Sequence, residues 1–433
     1  MPKPTIAVIG GGVAGLAAAV TLAQANAHVT VIETNHQLGG RARGIEYQGL
    51  MLDNGQHILL GAYRETLRLL QLTQAPLHET LQRMPLALKV FDLKLQAYFQ
   101  LNAPAWLPAP LHILAGLISA QGLTLHDKWC ALRLMVWMKL HDFTLADDET
   151  LAIFLTRRHQ TQALIQSLWE PLCLAALNTP LQQASAQIFL NVLRDSFNQQ
   201  AHDADILLAR TDLTSLISTP WADYVAHQGG CIRASTTVKS IRQTTDGYVL
   251  ITHEKESLFS HVIIAVGPHQ LKHLTKTLPL LSQPFEGFSY QPITTVYMQY
   301  EASIRLSDPM LGMVNSTSQW VFDRGQICGQ TGLLAVVISA HADLNIDQTL
   351  LAETIHTELT QLIPQLKQPI WHKVVTEKRA TFSCDAKLVR PHNQTEYPNL
   401  YLAGDYTAGD YPATIEGAVR SGITAANLIL QRS

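Results

Sequence analysis

The strongest constraint on this chain lies in its first thirty-three residues. Thr5-Ile6-Ala7-Val8-Ile9 is a short apolar run, Gly10-Gly11-Gly12-Val13-Ala14-Gly15 follows at once, and a second apolar run from His28 closes on Glu33. A buried strand, a G-x-G-x-x-G turn, a helix and a second strand ending in an acid make the fingerprint of a dinucleotide-binding βαβ unit. Gly10 permits the tight turn, Gly12 lets the backbone approach a pyrophosphate, and Gly15 lets the helix pack close on the strand. Val13 and Ala14 open that helix, whose orphan N–H groups and dipole favour phosphate. Glu33 falls about 20 residues beyond the glycines, where a carboxylate accepts hydrogen bonds from ribose hydroxyls and disfavours the 2′-phosphate of NADP.

With 433 residues, core size is not limiting and two or three domains, or one interleaved pair, are expected. The formal net charge of −3 carries no nucleic-acid signature. Charged residues make up only 15% of the chain, against about 25% in an ordinary globular protein. A large core, an apolar pocket or a membrane-touching face would each account for that. Cys130, Cys173, Cys231, Cys328 and Cys384 are scattered without C-x-x-C spacing, so neither a disulfide framework nor a zinc site follows. The first strand begins almost at the first residue, which leaves no room for a signal peptide and makes a cytoplasmic protein the expectation. No stretch approaches the roughly 20 uninterrupted apolar residues of a spanning helix.

Dinucleotide-type features recur far apart. Turn signals separate short alternating runs from His227 to Pro268, including Thr237-Val238-Lys239-Ser240-Ile241 and His261-Val262-Ile263-Ile264, which predicts a small β-meander returning to the main sheet. Near the end, Asn399-Leu400-Tyr401-Leu402-Ala403-Gly404-Asp405 reads as a buried strand ending in Gly-Asp, with a helix from about Thr414. The fold class is therefore α/β: a Rossmann-like domain built from residues 1–60, 221–280 and 391–433, with an α+β substrate domain interleaved at 61–220 and 281–390. The first insert reads as mostly helical. The second mixes strands at 294–298 and 333–338 with a helix near 351–362.

Two further motifs bear on the ligand. Gly39-Gly40-Arg41-Ala42-Arg43 combines glycines that permit close backbone approach with arginines suited to a pyrophosphate. Gly404 and Asp405 end a strand where ligands bind in open α/β sheets, placing Asp405 to accept from cofactor hydroxyls.

Together with the Val-Ile-Ile-Ala-Val-Gly-Pro strand and Ile415-Glu416-Gly417-Ala418, these motifs resemble the FAD-dependent amine oxidase and phytoene desaturase superfamily. The resemblance implies FAD, with Val238 among its contacts and the helix beginning at Thr414 and Ile415 aimed at the flavin ring. Amine oxidases place an aromatic cage residue where this chain has Thr414, and Tyr411 stands at the wrong offset. Asp53-Asn54-Gly55-Gln56-His57, Trp169-Glu170-Pro171-Leu172, Leu177-Asn178-Thr179-Pro180 and Pro412-Ala413-Thr414 look like the hydroxysqualene dehydroxylase branch. That branch reduces hydroxysqualene to squalene in hopanoid synthesis.

Such a reaction protonates an allylic hydroxyl, which leaves as water, and delivers hydride from the reduced flavin. Asp53 and His57 are the acid candidates, each with a bracing role as its alternative. An oxidative polyprenoid or carotenoid desaturase, and a non-catalytic flavin-binding recruitment protein, are competing readings. The lipophilic substrate implies delivery from lipid, with upstream squalene-pathway synthases as expected partners. Short apolar helices edged by Lys128, Arg133 and Lys139 within 104–140 suit peripheral contact with the inner face of the cell membrane, or merely cover the core.

Overall fold

The computed structural model describes residues 4–431, apart from positions 75, 198, 277, 279–280, 282–284, 286 and 341–346; the expected domain boundary at 280 lies outside the described residues. A five-stranded parallel sheet runs in the order Cys231–Arg233, His28–Ile32, Thr5–Ile9, His261–Ile264, Leu400–Leu402. Thr5–Ile9 is central, with Val8 opposite Val31 on one side and Ile263 on the other. A strand covered on both faces needs no polar alternation, which is why Ile6 to Ile9 are all apolar and all buried. The helix Val13–Gln24 behind it is apolar nearly all round because only its last residue escapes burial.

The meander forms as expected. Ser240–Thr244, Gly247–Ile251 and Glu256–Phe259 pair antiparallel, and His261–Ile264 re-enters the parallel sheet beside Thr5–Ile9. Its first strand starts at Ser240, leaving Val238 in the irregular approach.

A seven-stranded sheet spans both inserts, in the order Trp371–Phe382, Tyr290–Gln299, Leu333–Ser339, Trp320–Asp323, Met310–Val314, Ala87–Asp92, Ala97–Asn102. Leu333–Ser339 is buried throughout. Its Leu334, Val336 and Ile338 pack beneath the helix Gln348–Leu362 through Leu351, Ile355 and Leu359, while Leu333, Ala335 and Val337 face the opposite core.

The first insert holds the helices Arg64–Leu72, Leu111–Ser119, Leu125–Leu140, Leu151–Arg157, Glu170–Leu177 and Ala186–Phe197, but it is less helical than its pattern suggests. Ala87–Asp92 and Ala97–Asn102 complete the large sheet, and Leu81–Met84 and Ile206–Ala209 join Ile58–Leu60 in a small one. These strands are three to six residues long, too short for periodicity to separate strand from helix. Pairing with strands distant in sequence decided their form.

Candidate active site

The first glycine loop is built as its spacing predicts. Gly10 has φ +109°, and a Cβ there would lie 2.6 Å from Ala265 O. A Cβ on Gly15 would collide with Gly10 O, so the helix sits as close to the turn as its backbone allows. At Gly12 a Cβ would meet nothing within 4 Å, which leaves open space beside an N-terminus that carries no side-chain cap and no acid in its first turn. Glu33 ends its strand against this loop, accepting from Gly11 N at 2.7 Å and Asn35 N at 2.8 Å. Thr236 N donates to Glu33 O at 2.8 Å, bringing the segment that carries Val238 alongside the acid.

The second loop docks on the first. Gly39 N donates to Gly11 O at 2.8 Å, and a Cβ on Gly40 would lie 3.3 Å from Gly12 Cα. The two arginines behave differently from one another. Arg41 is spent on protein partners, donating to Asp405 Oδ1 at 2.7 Å and Ala380 O at 2.8 Å, because the Asp405 carboxylate is 7% exposed and requires a countercharge. Arg43 makes no side-chain hydrogen bond or ion pair among the described residues, and is the guanidinium left for a phosphate. Asp405, expected to accept from cofactor hydroxyls, thereby also joins the second loop to the last strand.

Thr414 caps the helix Ile415–Leu430, accepting from Gly417 N at 3.1 Å, and Ile415 begins it. Thr414 also lines a cavity of about 120 Å³ walled by Ile58, Leu60, Leu86, Leu88, Leu172 and other apolar side chains. The apolar cavity therefore reaches the N-terminus of the last helix. An apolar cavity with a few convergent polar groups is the usual form of a small-molecule site.

Asp53 and His57 do not line this cavity. Asp53 is 2% exposed; its Oδ1 accepts from Leu213 N at 2.8 Å, and Arg324 Nη1 stands 3.9 Å from Oδ2. Tyr297 Oη donates to Asp53 O at 2.9 Å, which fastens the strand Leu50–Asp53 to the large sheet. Burial pushes the Asp53 carboxyl up to about 7, outweighing Leu213 N and the more distant Arg324. His57 Nδ1 lies 2.6 Å from Gly55 O, and since a carbonyl only accepts, Nδ1 carries the proton. Burial, with Arg41 adding to it, holds the imidazole below its usual value, so the neutral ring has no proton on Nε2 to give. Asp53 thus braces its strand, and the His57 ring directs its Nδ1 proton at Gly55 O.

The sequence profile of the flavin containing amine oxidoreductases matches residues 13–430. The chain belongs to that family. Among relatives of this flavin oxidoreductase, a hydroxysqualene dehydroxylase of Zymomonas mobilis is 28% identical over 98% of this chain and 99% of its own length. A zeta-carotene desaturase of Arabidopsis thaliana is 22% identical over 99% of this chain and 85% of its own. Cyclohexylamine oxidase from Brevibacterium oxydans shares the fold, with TM-score 0.75 and 15% identity over 100% of this chain and 99% of that one.

This family member is an FAD-dependent oxidoreductase, and its residues fit the cofactor. Beyond the open space at Gly12, Ser218 Oγ is buried without a partner 2.5 Å from the place a Cβ on Gly39 would take. Thr295 Oγ1 is likewise buried and unpartnered, 3.7 Å from the corresponding place at Gly55. Neither hydroxyl was marked by sequence, since each reaches its loop through tertiary packing. Asp195 and Tyr411, which do line the cavity, also went unassigned, although Tyr411 lies three residues before Thr414.

Two outcomes follow from this geometry. Gly12→Ala will keep the thermal midpoint of the cofactor-free protein close to wild type while weakening FAD binding by about tenfold or more, whereas Gly15→Ala will lower both; calorimetry with and without FAD separates them. For Asp53 the folded carboxyl titrates above its unfolded value of 3.8. Its favourable contribution is thus complete below about pH 4 and lost as pH rises through about 7. Asp53→Asn will flatten the fall in denaturation midpoint between about pH 4 and 7, and an unchanged slope would exclude this carboxyl as its source.

Proposed function

We propose that this enzyme reductively dehydroxylates hydroxysqualene to squalene. The observation that carries the reading is the apolar lining of the cavity that reaches Thr414 at the start of the last helix, which suits a hydrocarbon chain. Full-length similarity to the dehydroxylase of Zymomonas mobilis supports it, and the desaturase is the more distant relative. Reduced FAD, when bound, supplies a hydride equivalent. The chain's own part is to hold the alkyl body, exclude water and present the carbon that bears the hydroxyl. Leu60, Leu86, Leu88, Phe189 and Trp320 make that wall. Arg43, Glu33, Val238 and the glycine loops would hold the dinucleotide portion. Loss of the hydroxyl as water needs a proton at its oxygen, and the wall residues above have none to offer.

The substrate's insolubility points to a lipid surface, and one helix is suited to it. Leu125–Leu140 buries Cys130, Ala131, Leu134 and Met138, which satisfies its inward face. Leu125 (85% exposed), Trp129 (64%), Val136 (56%) and Leu140 (78%) lie together on the opposite face, within about 60° of arc at 100° per residue. Trp106 is 82% exposed nearby. A second apolar stripe facing outward does nothing for the core, and Lys128, Arg133 and Lys139 flank it with positive charge. We read this face as a peripheral contact with an anionic bilayer on the cytoplasmic side, where the synthases that make the alcohol would supply it. No helix among the described residues is long and apolar enough to cross a membrane.

Anaerobic incubation of the FAD-reduced enzyme with hydroxysqualene should give squalene and oxidised flavin; unchanged alcohol and reduced flavin would exclude this reading. Each inserted large side chain is worth roughly 1.5–3 kcal/mol. Replacing Leu125, Trp129 and Leu140 together by Ser should therefore leave the protein at the bottom of a liposome flotation gradient in which wild type rises with anionic vesicles. Wild type remaining at the bottom would remove the membrane contact.

A further inference from the structure

Almost the whole cavity wall is alkyl or aromatic, and such a wall cannot by itself distinguish a long-chain alcohol from the corresponding hydrocarbon. Its polar groups gather at one end. Asp195, the one acid among the described lining residues, projects from the helix Ala186–Phe197; Tyr63, Tyr411 and Thr414 stand with it. Tyr411 Oη donates to Asp195 Oδ2 at 2.9 Å, and Arg194 Nε holds Oδ1 at 2.8 Å. From the opposite side, Arg420 Nη2 donates to Tyr411 Oη at 3.3 Å, with its guanidinium 4.5 Å over the ring. Arg420 is anchored in turn by Glu416 at 2.8 Å, itself wholly buried and locked to Thr66.

This is a strange group to leave on a hydrocarbon wall. Asp195 has a side chain only 15% exposed, and a half-desolvated carboxylate there costs stability unless donors reach it. Two donors do so, and its oxygens keep lone pairs for another. Tyr411, 8% exposed, holds its proton firmly, because burial raises its phenol above the usual range and Asp195 adds to that despite Arg420. The end of the cavity therefore offers a carboxylate with lone pairs to spare beside a phenol whose one proton is hydrogen-bonded to it, next to Thr414 at the start of the cofactor-side helix. A hydroxyl group both donates and accepts, and matches this pair.

We propose that Asp195 and Tyr411 form the hydroxyl-binding subsite of the cavity: the ligand is a long-chain polyprenoid alcohol whose hydroxyl inserts between them, donating to Asp195 while Tyr411 turns its single proton from Asp195 to the ligand oxygen. The assignment rests on the proposed polyprenoid alcohol substrate for its ligand class, and goes beyond it in naming the residues that tell alcohol from hydrocarbon. It also places the leaving oxygen beside the one O–H of the cavity wall that is already polarised by a carboxylate and a guanidinium.

The test is binding to the FAD-loaded enzyme in detergent micelles, titrating hydroxysqualene and squalene in parallel by calorimetry. Wild type is expected to prefer the alcohol by about tenfold or more, as sites with buried hydroxyl partners do. Asp195→Asn and Tyr411→Phe should each bring that preference to about twofold or less, with squalene affinity and the flavin spectrum unchanged. Tyr411→Phe keeps the ring under Arg420 and decides the matter if the Asp195 variant does not fold. A wild type without preference, or a preference retained in Tyr411→Phe, overturns the subsite. If wild type prefers the alcohol through these residues yet forms no squalene, the subsite stands and the dehydroxylase reading fails; squalene formation with preference intact in the variants is the converse.

Discussion

The arrangement on which the rest depends is the contact between the first helix and the last. A Cβ on Gly422 would run into Ala14 O, and the stretch it faces is Ala14 to Ala18, so Val13–Gln24 and Ile415–Leu430 approach nearly backbone to backbone. Each helix follows a strand of the same parallel sheet, so their N-termini open at the same edge. Residues some 400 positions apart thereby bring two positive helix ends to the same edge of the sheet. Arg41, bonded to Asp405, closes the same ring from the second glycine loop. Larger side chains on either helix would spread these ends and separate the pyrophosphate grip from the cavity.

Much of this was legible because it depends on local rules. Gly10, Gly12 and Gly15 are dictated by a turn and by close approach, and the structure gives each the setting that its spacing implies. Thr414 caps a helix where the sequence changes from turn to apolar period. The strands Ala87–Asp92 and Ala97–Asn102 were not legible, because six residues of mixed polarity adopt whichever form their distant partners accept. The pairing of Arg41 was not legible for the same reason: a G-G-R-A-R string does not reveal that a buried aspartate 364 residues later will hold one of its arginines.

Asp53 shows how one motif residue can carry a structural load alongside the chemistry its neighbours suggest. An acid in a short string with a histidine invites a proton-transfer role, and its surroundings also make it a strut. Leu213 N, Tyr297 Oη and the 2%-exposed Arg324 tie the ribbon that carries the second glycine loop to the sheet that walls the cavity. Arg324 also donates to Gln56 Oε1 at 3.0 Å, so the segment up to His57 is held by the same brace. Removing one partner of such a buried pair strands the other, and loss of activity on substitution would not by itself mark Asp53 as an acid.

The low charge of the chain has no single cause. Leu333–Ser339 is apolar on both faces because one packs on a helix and the other on the central core. Leu125–Leu140 is also apolar on two sides, but there one side has no protein against it. Composition sums these two situations and cannot separate them. Geometry does, because a second apolar face with protein behind it adds to the core, while one that opens outward between lysines and an arginine does not. The cavity's alkyl wall is a further apolar surface of that kind, facing space rather than protein, and Asp195, Ser196, Thr414 and two tyrosine hydroxyls interrupt it.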